Sequence, residues 1–221
     1  MAAAPLFIPS PLLGGRHHTA PSDKITLGFI GVGGMGTGHV HSFLGFEDCR
    51  IVAVCDVREE HRNRGKRLVD NTYQNKDCAT YTDFRELLAR KDIDAIVTAT
   101  PDHWHGLIGL AAARHGKDMY FEKPLTISIA ESQVLREAVL KHNVIFQFGT
   151  QQRSDQKFRH TIELILNGYI GELETVMIGS ASYEQIPRQP QQAVPPGFDY
   201  DFWLGPAPWA PYTFARCTRQ W

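Results

Sequence analysis

Lys123 is the residue whose neighbours best equip it for chemistry. It stands between Glu122 and Pro124, directly after the apolar run at 118–121, so a cation and a carboxylate meet where a strand gives way to a loop. Proline holds the residue before it extended, which aims the lysine instead of leaving it on a mobile helix. An ammonium so placed can hydrogen-bond a substrate hydroxyl and stabilise the alkoxide that forms as hydride leaves, and burial can bring a lysine pKa into a useful range. Glu122 can hold a ribose hydroxyl or orient the lysine. On these residues alone, a surface ion pair ahead of a proline is the alternative.

Hydride chemistry needs an acceptor, and a second motif supplies a place for one. The apolar run 25–30 opens into Gly31-Val32-Gly33-Gly34-Met35-Gly36, the spacing G-x-G-x-x-G. The first glycine allows a tight turn, the second lets the backbone approach a pyrophosphate, and the third lets helix and strand pack closely. The N–H groups of a helix starting near Gly34, Met35 among them, then face the anion. A second apolar run, 50–55, ends at Asp56, twenty positions beyond Gly36. A carboxylate there accepts from the adenosine ribose hydroxyls and repels a 2′-phosphate, favouring NAD over NADP. A plain turn with a helix-capping Asp is the alternative.

Two further polar segments follow strands, where open parallel sheets bind ligands. In the first, 98–105, Thr100 and Pro101 wall the cleft and Asp102 or His103 begins the next helix. His103 and His105, two apart, do not share a helix face, so no metal site is expected; His105 is as readily a packed residue as a contact. In the second, 148–154, Gln151 and Arg153 can contact the nicotinamide or a polyhydroxylated ligand, or cap the following helix.

These segments need a scaffold, and the chain between 24 and 149 provides its pattern. Short β-branched runs at 24–30, 50–55, 80–81, 94–98, 118–121 and 144–148 alternate with helical periods at 34–46, 58–70, 83–90, 104–115 and 128–142. That alternation predicts an α/β fold, a doubly wound parallel sheet. Asp83, and Ser128 with Glu131 as a capping box, mark helix starts. Helical spacing follows at 154–167 with Gly168 as a stop, then strand-like alternation at 172–184 (Leu173, Val176, Ile178), a loop rich in proline and glutamine, and an aromatic stretch at 198–206. The expected organisation is a leader-like or disordered arm over 1–22, a dinucleotide-binding Rossmann domain over 23–150, and an incomplete α+β substrate domain over 151–221. Within the arm, apolar residues broken by Pro5, Pro9 and Pro11 are too short to span a membrane and read as the tail of an export leader, leaving cytoplasm or periplasm open.

The chain of 221 residues is 43% apolar and carries a formal net charge of −1, which gives no electrostatic reason to expect nucleic acid or a membrane surface as partner. Cys49, Cys55, Cys78 and Cys217 show no C-x-x-C spacing, against a zinc site or disulfide framework.

Taken together, the glycine loop, the Ala99-Thr100-Pro101-Asp102-His103 stretch and Glu122-Lys123-Pro124 resemble the family of glucose-fructose oxidoreductases, inositol dehydrogenases and related sugar oxidoreductases, over 24–208. The resemblance implies a nicotinamide-dependent oxidoreductase of sugar-like or polyol substrates, with Lys123 beside the nicotinamide and catalytic, and a cis Lys123–Pro124 bond. It also implies homo-oligomers, and a larger C-terminal sheet domain whose Asp and His face the substrate. No segment here matches that Asp and His, His160 included, so poor turnover by these residues alone is expected. Two alternatives remain: an NAD-dependent glycosidase on the same scaffold, and a nucleotide-binding fragment without chemistry.

Overall fold

The computed structural model describes residues 19–179 and 187–218. Most of the arm expected at 1–22 lies outside them; of its end, Ala20 is buried and Pro21–Asp23 forms a 3-10 turn. The described chain forms two units. One takes the chain up to Phe148 together with Pro196–Pro208, the other Gly149–Pro195 together with the chain from Trp209.

The first unit is built on six strands: β1 (Ile25–Ile30), β2 (Cys49–Cys55), β3 (Ala79–Tyr81), β4 (Ala95–Thr98), β5 (Asp118–Glu122) and β6 (Phe146–Gly149). Their order is β3-β2-β1-β4-β5-β6, and β1 pairs in parallel with both β2 and β4. The order reverses at β1, which places a crevice beyond the carboxyl ends of β1 and β4. Between the strands run α1 (Gly34–Phe43), α2 (Glu59–Tyr73), α3 (Phe84–Leu88), α4 (Asp102–Arg114) and α5 (Ile129–His142). Each strand and helix expected from the periodicity over 24–149 is present, displaced by a few residues at the ends.

The alternation of side chains along the strands feeds two apolar layers. Leu27, Phe29, Ile51, Val54 and Val97 meet Val40 of α1 and Val69 of α2 on one face. Ile30, Ala53, Ile96 and Phe121 meet Leu87 of α3 and Ile108 and Ala112 of α4 on the other. Each fully buried side chain of this size stabilises the fold by about 1.5–3 kcal/mol relative to exposure. Gly28 is required by this packing, since a Cβ there would lie 2.7 Å from Leu87 Cδ2. Asp83 accepts from the Arg85 amide and Ser128 from the Glu131 amide, the helix starts read from the sequence.

The aromatic stretch belongs to this first unit. Asp199 caps α6 (Tyr200–Leu204) by accepting from the Phe202 amide. Its segment is fastened to the start of α2, where the Glu59 amide donates to Gly197 O at 2.8 Å, and to α4, where Trp203 O faces His103 Nε2 at 2.8 Å and accepts from Trp104 Nε1 at 3.0 Å. Phe202 packs between Phe84 and Trp104.

In the second unit Asp155 caps a helix over Gln156–Leu166, and Gly168 follows with φ +75°. The strand expected at 172–184 is a correction: the described part, 172–179, is exposed and forms no strand, and the remainder lies outside the described residues. Alternation makes a strand only where a neighbour takes up the backbone donors and acceptors, and no described strand pairs with it.

Candidate functional site

The site grows from the turn after β1. Gly31 donates its amide to Cys55 O at 2.8 Å and takes φ +82°, where a side chain would also collide with Ala99 O at 2.6 Å. Gly33 precedes α1 and offers no side-chain acceptor, so the leading amides of α1, at Gly34, Met35 and Gly36, have no side-chain cap. Met35 is 43% exposed. A Cβ at Gly36 would stand 1.9 Å from Gly31 O, whereas one at Gly33 would meet nothing nearer than His61 Cε1 at 3.6 Å. The turn is therefore tight on its inner side and open on its outer side, the shape of a cradle for a phosphate group.

Asp56 closes one side of the cradle. Its Oδ2 accepts from the Val32 amide at 2.9 Å and faces His61 Nδ1 at 3.2 Å, while Oδ1 accepts from the Arg58 amide at 2.9 Å. An ionised carboxylate has about four lone-pair positions, so capacity for a further donor remains. Behind the turn, Arg64 donates to Val32 O at 3.1 Å and Arg62 to Asp56 O at 2.6 Å.

On the other side, Thr100 and Pro101 follow β4, and Pro101 is the residue before α4. The Thr98 and Thr100 hydroxyl oxygens are buried with no hydrogen-bond partner among the described residues. His103 is turned to Trp203 O, so its ring helps anchor the aromatic segment. Glu122 is buried at the end of β5, with Oε1 2.8 Å from His39 Nε2. Lys123 is exposed and its bond to Pro124 is cis, as the resemblance implied. Gln151 lies exposed in the 3-10 turn Gln151–Ser154 of the second unit. No three His, Cys, Asp or Glu side chains among the described residues come together to hold a metal ion, and no described helix is long and apolar enough to cross a membrane.

His39, His61, Arg62 and Arg64 were not legible as site residues. Each lies on the first turns of α1 or α2, and only the strand order brings those turns to the crevice.

A doubly wound sheet ordered 3-2-1-4-5-6, a glycine turn after its first strand and an acid after its second define a dinucleotide-binding protein. More narrowly, the chain belongs to the GFO/IDH/MocA oxidoreductase family with an NAD-binding Rossmann fold, whose family model matches residues 25–150. It is 29% identical over 174 residues to myo-inositol 2-dehydrogenase of Thermotoga maritima, covering 79% of this chain and 47% of that one. It is 29% identical over 171 residues to an alpha-N-acetylgalactosaminidase of Shewanella oneidensis, covering 73% and 35%. A solved structure of scyllo-inositol dehydrogenase from Lactobacillus casei, with NAD(H) and scyllo-inositol bound, shares the fold at a TM-score of 0.61 and 24% identity, over 67% of this chain and 43% of that one. The chain thus spans about half or less of the length of these relatives.

Proposed function

We propose that this chain holds NAD, in preference to NADP, and uses it to move hydride to or from a carbinol carbon of a cyclic polyol or sugar. The observation that carries this reading is the cradle itself: a glycine turn with uncapped amides, bounded by Asp56 and opening on the same sheet edge as Lys123. The residues fit a dinucleotide. Gly31, Gly33 and Gly36 leave its path clear, the amides at Gly34 and Met35 hold the pyrophosphate, and Asp56 receives the adenosine ribose. Thr100, Pro101 and Glu122 line the nicotinamide end, where the unpartnered Thr100 hydroxyl gains an acceptor or donor. His103 supports that wall through the aromatic segment.

The nicotinamide ring, when bound, supplies the hydride acceptor or donor. Lys123 donates a hydrogen bond to the substrate oxygen and stabilises the negative charge that develops on it. Residues 23–150 then form the dinucleotide-binding domain, and residues from 151 onward begin the substrate domain, with 196–208 returning to the sheet unit. Inositol as substrate is favoured by the 29% identical relative of that activity. The test is NAD reduction on a panel of inositols and sugars, with Lys123→Ala beside it: turnover on a polyol that falls about a hundredfold or more in the variant supports the reading. Equal rates in both proteins contradict it.

The glycosidase relative supports a second reading, in which oxidation is transient and a glycosidic bond is broken. Release of a chromogenic aglycone without accumulation of NADH selects it.

A further inference from the structure

Two histidines meet the lysine turn from helices on opposite faces of the sheet. His39, on α1, brings Nε2 to 2.8 Å from Glu122 Oε1 and packs edge-on against Tyr120 at 5.3 Å between ring centres. The other oxygen of Glu122 accepts from the Lys123 amide at 3.3 Å. His105, on the first turn of α4 and 1% exposed, brings Nδ1 to 2.5 Å from Pro124 O and Nε2 to 2.9 Å from Thr100 O. A carboxylate oxygen only accepts, so His39 Nε2 donates to Glu122; at His105 both facing atoms are carbonyl oxygens, and the ring tautomer sets which nitrogen donates. The backbone is thus fastened on both sides of Lys123, whose own side chain is exposed and makes no hydrogen bond or ion pair with another described residue.

We propose that His39 and His105 are positioning residues for Lys123. His39 holds the Glu122 carboxylate that receives the Lys123 amide, and His105 ties the Pro124 carbonyl to the Thr100 wall, so the ammonium is presented in one direction at the nicotinamide end of the crevice. A residue that merely fills the core would be replaced by any apolar group of similar volume; these two need donors at particular atoms. The inference rests on the reading of Lys123 given above.

The experiment is acylation of lysines in the full chain by a small amine-reactive ester, quantified by peptide mass spectrometry with and without saturating NAD, with exposed Lys141 as internal standard. Saturation is set for each variant by NADH fluorescence titration. In the wild type NAD slows acylation of Lys123 by about fivefold or more, because the bound ring covers an ammonium held beside it. In His39→Ala and His105→Leu most of that protection is lost, while NADH affinity stays within about tenfold of wild type. His39→Gln regains protection, its amide nitrogen standing where Nε2 stood. His105→Asn, whose amide stands where Nδ1 faced Pro124 O, regains more than His105→Gln, whose amide stands where Nε2 faced Thr100 O. Full protection in the alanine and leucine variants overturns the proposal, as does outright loss of NADH binding or the absence of any rescue. If those two variants fail to fold, the contrast between Asn and Gln at 105 decides. No protection in the wild type instead overturns the placement of Lys123 beside the nicotinamide, and the present inference with it.

Discussion

A single methyl group at Gly36 should empty the cradle. In Gly36→Ala the new Cβ would lie 1.9 Å from Gly31 O, a backbone atom that cannot swing aside, so the start of α1 and the turn must part by more than about 1 Å to reach ordinary contact. Overpacking of this kind costs about 1–3 kcal/mol of stability. In a domain of this size that lowers Tm by roughly 2–12 °C. The same displacement carries the α1 amides out of hydrogen-bond range of a phosphate held against the turn. A hydrogen bond to a charged group contributes about 1.5–3 kcal/mol, so losing even one weakens NADH binding about tenfold to a hundredfold. Gly38, two residues on in the same helix, is the control: it is exposed and a Cβ there meets nothing within 4 Å. Gly38→Ala should leave NADH affinity unchanged and raise stability by about 0.5–1 kcal/mol, since glycine costs that much in a helix interior. Fluorescence titration with NADH and thermal melts read both quantities. Gly36→Ala binding NADH as tightly as the wild type, or Gly38→Ala weakening it equally, would refute the reasoning.

Other consequences follow from individual residues. Asp56→Ala should shrink the preference for NADH over NADPH by about tenfold or more, because like charges brought together cost several kcal/mol; an unchanged ratio in paired titrations would remove Asp56 from the ribose site. Burial pushes the Cys78 thiol up to about 12 from an ordinary 9.0, and Cys55 shifts the same way for the same reason. The unfolded thiols ionise first, so stability should be unaffected below about pH 9 and fall between there and about pH 12; Cys78 accounts for roughly 1.4 kcal/mol of loss at about pH 10. Urea melts at about pH 7 and about pH 10 should show Cys78→Ala losing about 1.4 kcal/mol less stability between them than the wild type, and equal losses would count against it. At Gly205, where φ is +50° and a Cβ would sit 2.2 Å from Trp104 Cζ2, alanine should lower Tm, and the penalty should shrink in a Trp104→Ala background; full additivity would contradict that contact.

What could be read in advance, and what could not, divides along the range of the interaction. The β1 turn was legible because its requirements are local: Gly31 needs a positive φ, Gly36 a bare backbone, and both lie within six residues of each other. Ser128 and Asp83 were legible as caps for the same reason, each bonding an amide two or three residues on. His39 was not, because its partner Glu122 is 83 residues away and the pair exists only once α1 and β5 are brought together. Nor was the return of 196–208 to the sheet unit, since it is secured largely by main-chain groups such as Trp203 O and Gly197 O, which carry no signature in residue type. The strand expected at 172–184 shows the opposite error. Alternation at Leu173, Val176 and Ile178 describes a face that a partner strand could cover, and the described residues provide none.

The most direct measurement is a crystal structure of the chain grown with NADH. The pyrophosphate should lie against the main-chain amides of Gly34 and Met35, the adenosine ribose hydroxyls within hydrogen-bond distance of Asp56, and the nicotinamide beside Lys123. A dinucleotide bound away from the β1 turn, or one whose adenosine ribose stands clear of Asp56, would contradict the assignment.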